Sequence, residues 1–338
     1  MTFVTAECVR YRPIERIAPL ISRRSLIAAS AALASVGASG IPAFAKAPPA
    51  GRQVPGVFRR KVGSIEVTAL SDGFGPIGLE AFPNLDAADA LRLLETVGQK
   101  TMPPTAINAF VVNTSAKTYL VDTGMGSNRA FGNTLGRMRA NLAAAGIEPS
   151  QIDAVILTHA HPDHAEGLLT PEGKARFRNA EVILHENEAN FWLDEGTLSR
   201  APEGAKPFFL SARNALRPYA NRTRKVKEGE LAPGLFLQLA AGHTPGHAVI
   251  RVSSGKDQLL MAGDTLHNAL IHTLRPETVF AFDIDGKQAA ESRKRIFDMV
   301  ATDSIPIAAT HVPFPGFGRI IRDGQAYRYV PDQWGDLA

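Results

Sequence analysis

Cysteine is nearly absent from this sequence, since the only one is Cys8. It precedes the end of a segment that has the pattern of an export signal, so we expect the mature chain to have neither disulfide bonds nor thiolate metal ligands. The sequence also lacks a Gly-x-Ser-x-Gly motif, the usual setting of a nucleophilic serine in α/β hydrolases. These absences leave covalent hydrolase mechanisms without their nucleophiles.

Long hydrophobic runs are missing as well. The most apolar stretch, residues 21–45, begins Ser22-Arg23-Arg24-Ser25-Leu26 and closes with Ala43-Phe44-Ala45. It is too short and too rich in Ala, Gly and Ser for a stable membrane anchor. We interpret residues 1–45 as a signal peptide cleaved near Ala45, which predicts a periplasmic or secreted protein. The paired arginines favour the twin-arginine route, and an ordinary secretory signal with two incidental arginines stays the alternative.

An excess of charge of one sign is also lacking. The formal charge is +4, and residues 1–45 contain five arginines and two glutamates, so signal removal leaves about +1. This balance gives no electrostatic support for a nucleic-acid partner. The basic residues between Arg222 and Lys227 alternate with Thr223 and Val226, a pattern typical of the solvated face of a strand.

The order of secondary-structure signals predicts one layered α/β domain over residues 61–338. Residues 46–60, rich in Pro, Ala and Gly, are interpreted as a linker or N-terminal arm. Short β-branched and apolar runs predict strands at residues 65–70, 107–112, 118–121, 154–157, 182–184, 235–239, 248–252, 258–261 and 305–309. Apolar residues at helical spacing predict helices over residues 129–145 and 287–300.

One loop carries an unusual density of metal-ligand side chains. His159, His161, Asp163 and His164 directly follow the predicted strand at residues 154–157. A strand end presents alternate residues in one direction, so His159 and His161 can face one ion while Asp163 and His164 turn towards a second. Imidazole and carboxylate ligands suit zinc and other first-row divalent ions. With nine histidines in the whole chain, a chance cluster of this kind is improbable.

Three more candidates complete the set, because one loop cannot fill two coordination spheres. His243, Asp264 and His311 each lie just beyond a predicted buried strand, where sites of layered α/β folds assemble. Taken singly, each could be an ordinary turn residue. His247, together with His185 and His272, is interpreted as structural.

The complete pattern resembles the metallo-β-lactamase superfamily, and within it the methyl parathion hydrolase family. The similarity lies in His159-x-His161-x-Asp163-His164 with the three later ligands, in Val121-Asp122-Thr123-Gly124, and in Ser71-Asp72-Gly73 and Tyr327-Arg328-Tyr329-Val330-Pro331. It extends over nearly the whole mature chain. The resemblance implies a four-layer αβ/βα sandwich with two divalent metal ions, zinc first among them, at one edge between the sheets.

The resemblance also implies a role for each residue. His159, His161 and His243 would bind one ion, Asp163, His164 and His311 the other, and Asp264 would bridge them. Asp122 would orient a ligand histidine, as metal-bound imidazoles require. Asp163 and Asp264 would orient the water that the two ions activate and accept its proton.

A substrate pocket is implied at Phe131, Trp192 and Phe208, whose aromatic faces would hold an apolar group. The alternative is that these rings belong to the core, and Trp192 is favoured over Phe131 as a pocket residue. His267 departs from the family pattern: it would donate a hydrogen bond to a substrate oxygen and act in catalysis, or it would only cap a turn.

The expected activity is hydrolysis of a small neutral ester, with lactones or aryl esters ahead of organophosphate triesters. Within the same fold, a β-lactamase or a thioester hydrolase stays an alternative. A periplasmic metal-binding protein without turnover is the alternative from another class, although the complete ligand set argues against it. A homodimer is left open.

Overall fold

Seven strands form the first sheet, in the order β1 to β7 along both the chain and the sheet. The first four are antiparallel, and β4 to β7 run parallel. Their bounds are β1 Val57–Val62, β2 Ile65–Gly75, β3 Thr105–Asn113, β4 Thr118–Val121, β5 Ala154–Ile156, β6 Glu181–His185 and β7 Thr223–Val226. The basic run around Arg224 lies on β7, at one edge of this sheet, as its alternation predicts.

Seven further strands form the second sheet, in the order β14-β13-β12-β11-β10-β9-β8. Only the β11–β12 pair is parallel. The bounds are β8 Gly229–Ala232, β9 Leu235–Leu239, β10 Ala248–Ser254, β11 Asp257–Met261, β12 Ile307–Ala308, β13 Phe317–Asp323 and β14 Ala326–Pro331. A crossover containing a long helix therefore separates β11 from β12, as a parallel pair requires.

Eight α-helices lie in the part of the chain that this computed structural model describes, which is residue 47 and residues 49–335. They are α1 Ala87–Glu95, α2 Met138–Ala144, α3 Pro162–Ala165, α4 Glu186–Leu193, α5 Glu195–Arg200, α6 Lys206–Leu216, α7 Ala269–Leu274 and α8 Gly286–Thr302. None of these helices has the length and apolar character needed to cross a membrane. The predicted signal peptide, residues 1–45, lies outside the described residues.

Alternating side chains along the strands create the layers. On β3, Phe110 points between the two sheets, whereas Val111 points outwards to a core shared with α2 and α6. On β11, Leu259 joins the core between the sheets and Leu260 packs towards α8. Because strands buried on both faces need cover on each side, the result is helix, sheet, sheet, helix. The predicted four-layer αβ/βα sandwich is confirmed.

Two predicted segments need correction. The arm predicted at residues 46–60 ends earlier, because Val57–Val62 form β1 and pair with β2; the basic residues inside this strand concealed its pattern. The helix predicted over residues 129–145 covers only Met138–Ala144. Its first half is irregular, because Gly132 and Gly136 have φ values of 130° and 78° that a right-handed helix does not allow.

Candidate metal centre

All seven predicted ligand residues follow the ends of strands, and Asp163 and His164 lie on the short helix α3. His159 to His164 follow β5, His243 lies between β9 and β10, and Asp264 and His311 follow β11 and β12. Short buried strands fix where these loops begin, and hydrogen bonds such as Ala248 N to Thr158 O (2.9 Å) join the loops of the two sheets. The seven side chains therefore converge on one place between the sheets.

Three imidazole nitrogens meet on one side of this cluster. Nδ1 of His161 lies 3.0 Å from Nε2 of His159 and 3.0 Å from Nε2 of His243. All three rings are buried. Neutral imidazoles at this spacing turn lone pairs towards one point, which is the donor arrangement that first-row divalent cations prefer.

Carboxylates occupy the other side. Nε2 of His164 lies 3.0 Å from Asp264 Oδ1 and 3.5 Å from Asp163 Oδ2. His311 Nε2 lies 3.4 Å from the same Asp163 oxygen. The other oxygen of Asp264, Oδ2, faces His243 Nε2 at 3.2 Å. The same oxygen lies 3.2 Å from His311 Nε2, so the Asp264 carboxylate contacts both halves of the cluster.

Outer hydrogen bonds set the orientation of three rings. His164 Nδ1 donates to Asp122 Oδ2 at 2.8 Å, which is the contact expected of Asp122. His311 Nδ1 donates to the backbone oxygen of Ala106 at 2.9 Å. His243 Nδ1 donates to Asp283 Oδ1 at 2.8 Å. In each ring Nδ1 is held by an outer acceptor and Nε2 faces the cluster, which is the orientation that ligand histidines require.

Asp283 is a residue that the sequence reasoning missed. It lies outside the strand-end motifs, and its second oxygen accepts a hydrogen bond from Phe280 N at 2.8 Å. Its neighbour Asp285 is the N-cap of α8. An Asp-x-Asp pair before a helix reads as capping, so the sequence offered no signal for the second role.

The charges of the site are strongly coupled. Burial would lower the pKa of His243, but hydrogen bonds to Asp264 and Asp283 outweigh burial and raise it to about 9. Burial would also raise the pKa of Asp264, yet the charges of His164 and His311 hold it well below its usual range. His159 has a pKa well below its usual value because burial disfavours its charged form.

The residues present fit a bound cation. His164 Nε2 and Asp264 Oδ1 lie 3.0 Å apart, yet both are buried and neither has a hydrogen-bond partner. Buried polar atoms are normally paired. Four overlapping groups of three residues have ligand atoms within 4.8 Å of one another: His159, His161 and His243; His159, His164 and Asp264; Asp163, His164 and His311; and His243, Asp264 and His267. A divalent ion would satisfy the unpaired atoms and offset the carboxylate charge.

A cavity of about 250 Å³ opens onto this cluster. Phe131 and Phe208 both line it, as predicted, together with Phe280 and Phe282. Trp192 does not, and its interpretation as a pocket residue is wrong. Asn190 to Leu193 lie on a helix and not on a strand, so the Trp192 ring points into the helix layer. There it packs against the Phe209 ring, with 4.7 Å between centroids, and Trp192 is only 1% exposed.

His267 lines the cavity but faces the cluster. Its Nε2 donates to Asp264 Oδ2 at 3.0 Å, and its ring stacks on Phe280 with 3.6 Å between centroids. Burial lowers its pKa to about 3, so the ring is neutral at pH 7. The N-cap of the following helix α7 is Asn268 and not His267.

The remaining histidines accept hydrogen bonds from backbone N–H groups. His247 Nε2 accepts a hydrogen bond from the backbone N of Asp264 at 2.9 Å. His272 Nδ1 accepts one from His267 N at 3.0 Å. His185 caps α4. Their prediction as structural residues is confirmed.

The sequence profile of the metallo-β-lactamase superfamily matches residues 102–311 of this chain, a span that includes every predicted ligand. The chain belongs to the metallo-β-lactamase superfamily. It is therefore a metal-dependent hydrolase of that fold. No curated protein matches the sequence.

Solved structures agree with this membership. The hydrolase AbOPH of the β-lactamase superfamily is 34% identical, with 84% of this chain and 100% of that chain covered and a TM-score of 0.79. AidC, a dizinc quorum-quenching lactonase in complex with the product N-hexnoyl-L-homoserine, is 27% identical, with 83% and 99% covered and a TM-score of 0.78. A probable metal-dependent hydrolase from Staphylococcus aureus shares the fold at 21% identity, with 82% and 100% covered and a TM-score of 0.67.

Metal binding by this metallo-β-lactamase-fold protein is expected to tighten as pH rises from 6 to 8. In the metal-free protein, His243 has a pKa of about 9 and carries a proton at pH 7, and the pKa of His164 is also raised, so its ring holds a proton more tightly. A cation must displace these protons, so the apparent Kd should fall about tenfold per pH unit for each proton released. Chelator competition at pH 6, 7 and 8 measures it. A Kd that does not change over this range would contradict the protonated metal-free cluster.

Proposed function

We propose that the protein is a hydrolase that uses two divalent metal ions to cleave neutral esters. Zinc is the first candidate for both ions. Lactones and aryl esters would be its substrates ahead of phosphotriesters. The observation that carries the proposal is the position of Asp264, which turns Oδ1 to His164 at 3.0 Å and Oδ2 to His243 at 3.2 Å. One carboxylate between two ligand groups is the arrangement needed to bridge a pair of ions.

The ligands divide into two sets. His159, His161 and His243 would hold one ion, and Asp163, His164 and His311 the other, with Asp264 shared. When bound, two such ions lower the pKa of a shared water from 15.7 to about 7 and polarise a carbonyl oxygen. The dizinc centre of the relative AidC supports zinc as the first metal to test.

The chain's own residues orient the reaction. Burial would raise the pKa of Asp163, but the charges of His164 and His311 keep it well below its usual range, so the carboxylate is ionised. Asp163 and Asp264 can therefore orient a water by accepting its hydrogen bonds. His267 holds Asp264 through its Nε2–H.

The cavity wall supports a neutral substrate. Phe131, Phe208 and Phe282 contribute rings, with Phe208 and Phe282 centroids 5.8 Å apart. Among the described residues, those that line the cavity include no Lys or Arg but do include the acidic residue Glu80. Apart from the ions, a phosphomonoester dianion would have no Lys or Arg to pair with there, whereas an apolar ester gains contact area. The lactonase relative with a bound hydrolysis product supports lactones within this class.

A substrate panel tests the proposal. The zinc-loaded protein is expected to hydrolyse lactones and aryl esters faster than phosphotriesters, and phosphomonoesters slowest. Phe208→Ala should raise KM for bulky aryl esters about tenfold with little change in kcat, because it removes binding area and leaves the ligands intact. Leu210→Ala is the matched control, since that side chain is exposed on the same helix and does not line the cavity. Preference for phosphomonoesters would overturn the apolar-pocket argument.

His267→Phe separates two roles of this histidine. Because its Nε2–H goes to Asp264, turnover should fall by the same factor for a lactone and a phosphotriester. A loss confined to lactones would show instead that His267 contacts the substrate carbonyl. Both kcat values are measured on one metal-loaded preparation.

We also propose export to the periplasm through residues 1–45. Fusing this segment to a reporter should carry the reporter across the inner membrane, and Arg23→Lys combined with Arg24→Lys should block transport. Transport that survives both substitutions would identify the ordinary secretory route.

A further inference from the structure

Glu188 is the most completely hydrogen-bonded carboxylate near the metal centre, and it belongs to none of the ligand motifs. It lies in the first turn of α4 and is fully buried. Oε1 accepts from Ala160 N at 2.8 Å and from Trp192 Nε1 at 2.5 Å. Oε2 accepts from Thr244 Oγ1 at 2.5 Å and from Gly246 N at 3.0 Å. Each of the four donors is neutral.

These donors belong to two different histidine loops. Ala160 lies between His159 and His161 in the loop that follows β5 of the first sheet. Thr244 directly follows His243 in the loop that follows β9 of the second sheet. One carboxylate thus joins the backbone of the first loop to the backbone and side chain of the second.

Close packing fixes this arrangement. A Cβ on Gly246 would lie 2.1 Å from the backbone N of Glu188, so only glycine permits the second loop to approach α4 this closely. On the other side, Trp192 lies one turn further along the same helix and packs against Phe209. The carboxylate is therefore held by a rigid helix, and a carboxylate in the first turn is favoured by the helix dipole.

The spacing of the loops decides whether the three imidazoles can share an ion. Nδ1 of His161 and Nε2 of His243 come from the two loops and lie 3.0 Å apart. Metal–ligand distances tolerate errors of only about 0.2 Å. A small change in loop separation would therefore weaken binding even with all ligands present.

We propose that Glu188 is a positioning residue that clamps the two histidine loops at the separation needed to bind a divalent cation through His159, His161 and His243. This inference rests on the proposed metal-dependent function. If Glu188 has this role, replacing it by an uncharged isostere weakens metal binding by more than the general loss of stability explains. Supporting groups of this kind typically change metal affinity 10- to 100-fold.

Glu188→Gln is the first test. The amide nitrogen that replaces one oxygen is a donor, and it would face either Ala160 N and Trp192 Nε1 or Thr244 Oγ1 and Gly246 N. We expect the Kd for Zn²⁺, measured by chelator competition, to rise about 10- to 100-fold, and the visible absorption bands of the Co²⁺-loaded protein to shift. Glu186→Gln is the matched control: it makes the same change in the same turn of α4, at a side chain that is 37% exposed and faces Lys227, so Kd and spectrum should stay close to those of the parent.

Thr244→Val provides a second variant if Glu188→Gln does not fold. It removes one of the four hydrogen bonds, and we expect a weaker change of affinity and spectrum in the same direction. Unfolding midpoints of the metal-free proteins separate general destabilisation from the effect on the ion. If the folded variant binds Zn²⁺ as the parent does, with the same Co²⁺ spectrum, the positioning role is wrong. A parent that binds no Zn²⁺ overturns the proposed function and this inference with it.

Discussion

Asp264→Ala is expected to lower kcat by about 10³-fold or more on every ester substrate. Asp264 contacts His164, His243 and His311, and its two oxygens face both halves of the ligand cluster. Without it, the two ligand sets share no anionic group, and the water loses one of the carboxylates that orient it. The measurement is kcat at saturating Zn²⁺ and saturating substrate, with far-ultraviolet circular dichroism to verify folding.

A matched control isolates this effect from the loss of any carboxylate. Asp303 is exposed at the C-terminal end of α8 and precedes β12, whereas the ligand loop with His311 follows that strand. Asp303→Ala should therefore leave kcat unchanged. Activity of Asp264→Ala within a few-fold of the parent would show that Asp264 does not connect two ions.

Removal of metal is expected to have the second large effect, on activity and stability together. A ligand bound only by the folded state stabilises it by about 4 kcal/mol at a free concentration of 1,000 Kd. For a domain of this size that corresponds to a fall in Tm on the order of 10 °C. The stripped protein should lose turnover as well, because the site has no serine or cysteine nucleophile to replace an activated water.

Thermal unfolding with and without chelator measures the stability difference. Re-addition of Zn²⁺ to the stripped protein is the control, and it should restore both Tm and activity. An unchanged Tm together with full activity after stripping would mean that the buried histidines and carboxylates form a purely structural network.

Much of the fold was predictable because its central strands carry strong signals. The runs Ala154–Ile156 and Leu259 to Met261 are apolar, and His159 and Asp264 follow shortly after them. Strand ends in a layered sheet meet at one edge, so the sequence alone predicts that His159, Asp264 and His311 lie at one site. The edge strands β1 and β14 were harder, because charged residues interrupt their apolar pattern.

The supporting residues of the site were not predictable in the same way. Glu188 and Asp283 act through contacts between segments distant in sequence, and an isolated Glu on a helix or Asp near an N-cap reads as ordinary surface or capping chemistry. Trp192 was misassigned because its local sequence does not reveal the helical phase that turns the ring away from the cavity. Position relative to the rest of the fold, and not residue type, decides these roles.

Metal stoichiometry tests the central claim most directly. The metal-free protein is titrated with Zn²⁺ while bound zinc, by elemental analysis after gel filtration, and ester hydrolysis are followed on the same samples. The account predicts about two tightly bound ions per chain, with full activity reached only as the second equivalent binds. Full activity at one equivalent, or no bound transition metal in an active protein, would contradict it.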